Sequence, residues 1–167
     1  MTIQPDGSAL VTISHTYGPN VFTATVVATV QAGGASGTDT QVLTRCADPK
    51  GDGVKPETDI VACAFSSSGT HVTIDLTVDG NISNYHEYRV FLPQTNTVLK
   101  WFCGSASGPS GTGLKVVKVG AKTLRYTFNA AALGWNGTTP LQFKEQTKST
   151  GWYGKLLDET AVFTITP

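Results

Sequence analysis

The chain has 167 residues, with Lys+Arg 12 balanced by Asp+Glu 12 and only 14% charged side chains. A formal net charge of zero leaves no basic face to neutralise phosphates, so nucleic acid is not an expected partner. No apolar run approaches the roughly 20 residues of a membrane span, and the length suits one core or one domain with an appendage.

Residues 1–7 lack the charged-then-apolar pattern of a signal sequence, so an exported protein is expected to have lost its leader before this chain begins, or the chain is a fragment. Period-two alternation then recurs from end to end. A first strand is expected at 9–16. Residues 21–30, "VFTATVVATV", alternate β-branched and small side chains as a strand does. Further strands are expected at 38–45, 58–66, 70–78, 87–93, 98–103, 114–119, 123–129, 141–147 and 159–166. Gly-, Pro- and Ser-rich turns such as "AGGASG", "SSSG", "DGN" and "GSASGPSGTG" separate most of them. About ten short strands at this spacing predict an all-β antiparallel sandwich, Ig-like or jelly-roll-like. The single helical turn expected is "NAAALG" at 129–134, with Asn129 as its cap and Gly134 as its stop.

The segment "RCADPKGDGVKPETDIVACAF" at 45–65 concentrates the unusual chemistry. Asp48, Asp52 and Asp59 place three carboxylates in a glycine-bent loop that ends on a strand. Calcium takes six to eight oxygens from such groups, although Asp and Gly are equally the ordinary residues of turns. Cys46 and Cys63 flank the loop. With Cys103 as the third cysteine, three disulfide pairings or three separate thiols are open. A Cys46–Cys63 bridge would close the loop on itself and add about 3 kcal/mol by restricting the unfolded chain.

Two resemblances sharpen this reading. "SHTYG" at 14–18 and "GTDTQVLT" at 37–44 resemble the closing strands of polycystic-kidney-disease-type Ig-like domains, without that family's earlier strands. Three such strands cannot bury both faces alone, so residues 1–45 are expected to pack on the rest of the chain or on a partner. From Asp48 onward, "DPKGD", "GTHVTIDLTVDGN", "YTFNAAALG" and "LLDETAVFTI" resemble the β-sandwich accessory modules of secreted bacterial glucodextranases, pullulanases and subtilisin-like proteases. The division expected is therefore 1–45 and 46–167. The second resemblance implies calcium at Asp48, Asp52 and Asp59, with Asp158 in the closing acidic turn as a further ligand; the proline that typically precedes that aspartate is absent from "KLLDE".

Tryptophan and tyrosine stack on the apolar faces of sugar rings. Trp135 in "GWNG", with Trp152 and Tyr153 in "TGWYGK", is flanked by glycines and is a candidate ligand-binding residue, whereas Trp101 in "VLKWFC" reads as core. The alternative for all of them is that they cover the ends of a sandwich. His15, His71 and His86 belong to no nucleophile elbow, zinc motif or Cys/His pair, so an enzyme is not expected.

The sequence thus points to a non-catalytic module of a secreted or cell-surface protein, stabilised by calcium and serving as a spacer or binding appendage. Polysaccharide or another protein chain is the expected partner. A structural subunit that assembles by strand addition, or a carbohydrate-binding module, is the alternative.

Overall fold

The computed structural model describes the backbone of residues 2–3, 9–10, 22–32, 35–150 and 154–165, and side chains from Arg45 onward within those ranges. Fourteen strands lie among the described residues: β1 (Thr2–Ile3), β2 (Ala9–Leu10), β3 (Phe22–Ala32), β4 (Ala35–Ala47), β5 (Ile60–Ser68), β6 (His71–Val78), β7 (His86–Leu92), β8 (Thr97–Phe102), β9 (Ser105–Ser107), β10 (Lys115–Lys118), β11 (Thr123–Asn129), β12 (Leu141–Ser149), β13 (Leu156–Glu159) and β14 (Phe163–Ile165). One sheet has the order β10-β11-β6-β5-β4-β3; the other runs β13-β12-β7-β8-β9, with β14 paired to β12. All pairs are antiparallel, and the two sheets form the sandwich that the alternation predicts.

Alternation explains which residues meet inside. Val72, Ile74, Leu76 and Val78 of β6, Val90 and Leu92 of β7, and Leu141 and Phe143 of β12 are all buried, while their neighbours in sequence face outward. Phe65 of β5 meets Phe143 of β12 edge-on with ring centroids 5.0 Å apart, joining the sheets at mid-height. Trp101 lies in the core beside Tyr88, as its apolar setting suggested.

Two departures from the expected elements have local causes, and the expected helical turn forms. The strand expected at 159–166 is two strands, because Thr160 leaves the ladder: its N–H donates to the Glu145 carbonyl and its hydroxyl reaches both the Glu145 N–H and the Ala161 carbonyl. Residues 105–107, expected as loop, form β9 through a tight turn in which Cys103 (φ 50°) and Gly104 (φ 80°) are both left-handed. The turn at Ala130–Leu133 is a 3-10 helix; Asn129 accepts from the Ala131 N–H and Gly134 ends it at φ 83°. Of the strand expected at 9–16, Ala9–Leu10 is described and the remainder lies outside the described residues.

Strand β4 runs through the boundary expected near Arg45. Its residues 42–47 pair with β5, and residues 35–45 pair with β3. Cys46 and Cys63 stand opposite each other in the β4–β5 register, 5.0 Å apart at Cα, and are joined by a disulfide; Cys103 is a free, exposed thiol.

Candidate metal centre

The loop between β4 and β5 is built on Asp59. Its side chain is buried, and its two carboxylate oxygens accept from the N–H groups of Gly51 and Gly53, each at 2.8 Å. Gly53 is required there, because a Cβ would stand 2.5 Å from the Asp59 Cα. Thr58 closes a further turn onto Lys55, and Gly80 of the β6–β7 connection donates to the Pro56 carbonyl. The loop is held in a fixed shape by these bonds.

The same loop fastens the two sheets. Thr147 of β12 donates its hydroxyl to the Thr58 carbonyl at 2.7 Å, the Tyr88 hydroxyl of β7 donates to the Glu57 carbonyl at 2.8 Å, and the Ile60 N–H donates to Asp158 Oδ2 at 2.6 Å. Asp158 is brought in by β13, where it stands opposite Thr147 at a register shift. It lies in a strand and not in a turn, and its Oδ1 accepts from the Glu159 N–H.

These constraints gather Asp48, Asp52 and Asp158 so that a carboxylate oxygen from each lies within 4.8 Å of the others. Asp48 sits one residue past β4, its N–H bonded to the Val61 carbonyl. Its Oδ2 is buried with no hydrogen-bond partner. Burial first, and then the charges of Asp158, Asp52 and Asp59, push the Asp48 carboxyl up to about 7. Burial also raises Asp158, against the opposing pull of the N–H bonds from Ile60 and Glu159. The nearby ammonium of Lys50 is spent on Asp79, 3.0 Å away.

Of the four aspartates expected as ligands, three therefore converge and the fourth, Asp59, shapes the loop beside them. Each Asp59 oxygen keeps a second lone pair, but its first duty is to the backbone. The donor set is hard oxygen only, which suits calcium or magnesium and not zinc or copper. The buried, unpartnered Asp48 Oδ2 is the feature that fits a cation best, since an acceptor without a donor is costly inside a protein.

Trp135 corrects an expectation. The flanking glycines suggested an exposed ring, but the ring is buried in the core cluster and its Nε1–H donates to the Thr139 carbonyl, so it offers no face to a sugar. Trp152 and Tyr153 lie outside the described residues. A groove of about 500 Å³ is lined by Ile82, Asn84, Tyr85, Phe102, Cys103, Lys118 and Thr150, and Tyr85 stands exposed in it. Sequence reasoning missed Glu145, which is fully buried on β12. The signal was present: in "LQFKEQT" Glu145 has the parity of the inward-facing Leu141 and Phe143.

No family model, curated protein or solved structure matches this chain. Among the described residues, no helix is long and apolar enough to cross a membrane.

Proposed function

We propose that this chain is a non-catalytic, calcium-stabilised β-sandwich module that serves as a spacer or binding appendage of a secreted or cell-surface protein. The observation that carries the reading is the convergence of Asp48, Asp52 and Asp158 on one point, with Asp48 Oδ2 buried and unpartnered. Asp48, Asp52 and Asp158 would hold the ion. Calcium would neutralise carboxylates that otherwise repel one another at the junction where the loop, β5 and β13 meet. Binding to the folded state alone adds stability as RT ln(1 + [L]/Kd). The disulfide next to this junction suits an oxidising, extracellular setting. Isothermal titration tests the site: the wild-type chain takes up one calcium ion, and Asp48→Asn removes that uptake. Titrations without heat in the wild type would end this reading.

A second reading is assembly by strand addition, supported by the β3–β4 hairpin. Residues 35–41 of β4 pair with β3 alone, so the hairpin runs on past β5, and among the described residues β3 has no neighbour on its outer side. Residues 22–41 carry one charged side chain, Asp39, where exposed edges are usually guarded by several. An open edge of this kind accepts a strand from another chain. Sedimentation separates the two readings: a monomer at all concentrations opposes assembly, and discrete oligomers favour it.

A further inference from the structure

Behind the aspartates, the interior holds one more carboxyl group with nothing to bond. Glu145 is completely buried on the inner face of β12, and neither Oε1 nor Oε2 has a hydrogen-bond partner. Only its backbone is engaged, by exchange of both bonds with Thr160. Among the described residues, four buried side-chain polar atoms lack a partner: three belong to Asp48 and Glu145, and the fourth is His86 Nδ1.

Two contacts across the sandwich fix where Glu145 stands. Two residues before it, the Phe143 ring meets Phe65 of β5; two residues after it, the Thr147 hydroxyl bonds the Thr58 carbonyl just ahead of β5. Glu145 therefore faces the stretch of β5 between these points, where Asp48 is bonded to Val61 and Cys46 is bridged to Cys63. Burial first, and then the charges of Asp75 and Asp48, raise the Glu145 carboxyl. On the same inner face, Thr147 stands opposite Asp158, one pleat away. Glu145 thus lies on the inner face across from the β4–β5 junction, two residues from Thr147, and its oxygens are not members of the set that lies within 4.8 Å.

A buried carboxyl opposite Val90 of β7 is costly without a partner, and a leucine there would carry no such cost. A divalent cation held by the aspartates supplies positive charge on this side, and the outer partners of a metal site orient its ligands and tune its affinity. We propose that Glu145 belongs to the cation site as its inner-wall carboxylate, an outer-sphere positioning residue that supports the hold of Asp48 on the ion from within the sandwich. The proposal rests on the calcium reading of Asp48, Asp52 and Asp158 and extends it to a residue outside the loop.

Calcium titrated calorimetrically into the full-length wild type, Glu145→Gln and Glu145→Asp tests it, with melting of each in chelator as the control for folding. Glu145→Gln weakens calcium binding by about 10- to 100-fold without lowering the chelated melting temperature, and Glu145→Asp recovers part of the affinity. Equal affinity in Glu145→Gln and wild type would overturn the proposal and leave the aspartate site standing; a wild type that takes no calcium would remove both. Should Glu145→Gln fail to fold, wild type labelled with 13C at its glutamate carboxyls gives the answer: the Glu145 resonance shifts on saturation with calcium, and an unmoved resonance overturns the proposal.

Discussion

The two ends of the sandwich treat buried polar groups in opposite ways. At the end that holds the β5–β6 turn, the polar groups close on one another: Asn129 caps Ala131 and donates its own N–H to the Thr112 carbonyl, the Thr112 hydroxyl bonds Pro109, the Ala130 N–H reaches Thr70, and the Trp135 indole reaches Thr139. At the other end, Asp48 and Glu145 leave three buried oxygens unpartnered although the N–H groups of Gly51, Gly53 and Ile60 nearby are bonded. A fold that satisfies one end this thoroughly has the means to satisfy the other. On the calcium reading proposed above, the carboxylate end is the one that takes a charge from outside the chain, and it carries the cost of that site.

Substitutions can break this contrast in graded steps. Asp59→Ala has the largest expected effect, because it strands the N–H groups of Gly51 and Gly53 and frees the loop. A loss of about 3 kcal/mol is expected in denaturant melts in chelator, since two charge-assisted bonds disappear, and a larger one in calcium, since the freed loop no longer gathers Asp48 and Asp52. Glu145→Leu should act with the opposite sign, raising chelated stability by about 1–3 kcal/mol as an unpartnered carboxyl leaves the core. The same variant should show a smaller gain on adding calcium. At the satisfied end, Asn129→Ala should cost about 1 kcal/mol through its lost cap, with no change in calcium response.

The most distinctive effect is on pH. The Asp48 carboxyl is raised from 3.8 to about 7, so the folded, cation-free protein binds a proton more readily than the unfolded chain does. Its contribution to stability is fully present below pH 3.8 and is lost as pH rises through about 7. Asp158 and Glu145, both raised by burial, act in the same direction. Melts in chelator should therefore decline across this window, and saturating calcium should remove the decline; a flat profile in chelator would contradict it.

Much of the architecture was legible in the sequence because alternation is a physical record of burial. The pattern of "HVTIDLTV" is the burial pattern of β6, and Asn129 and Gly134 marked both ends of the helical turn at Ala130–Leu133, whereas a second 3-10 turn, Pro93–Thr95, was not expected. The aspartates were legible as a group, but not their division of labour: Asp59 differs from Asp48 and Asp52 only because the chain folds back to place Gly51 and Gly53 against it. Trp135 was misjudged because glycine neighbours describe the backbone, whereas the Thr139 carbonyl that receives its indole is set by the turn that follows. Glu145 was legible as inward-facing from its parity with Leu141 and Phe143, but its place across from the β4–β5 junction required a register across two sheets, which no local pattern carries. The loop at 45–65 does more than turn the chain, since its carbonyls at Glu57 and Thr58 receive hydroxyls from both β7 and β12.

The most direct test of the proposal that calcium holds this junction is the melting temperature of the wild type at neutral pH, in calcium and in chelator. Calcium at about a hundredfold above its Kd should raise the midpoint by roughly 5–10 °C, the shift that about 2.7 kcal/mol gives a domain of this size. Superimposable melts in calcium and chelator would contradict a cation at Asp48, Asp52 and Asp158.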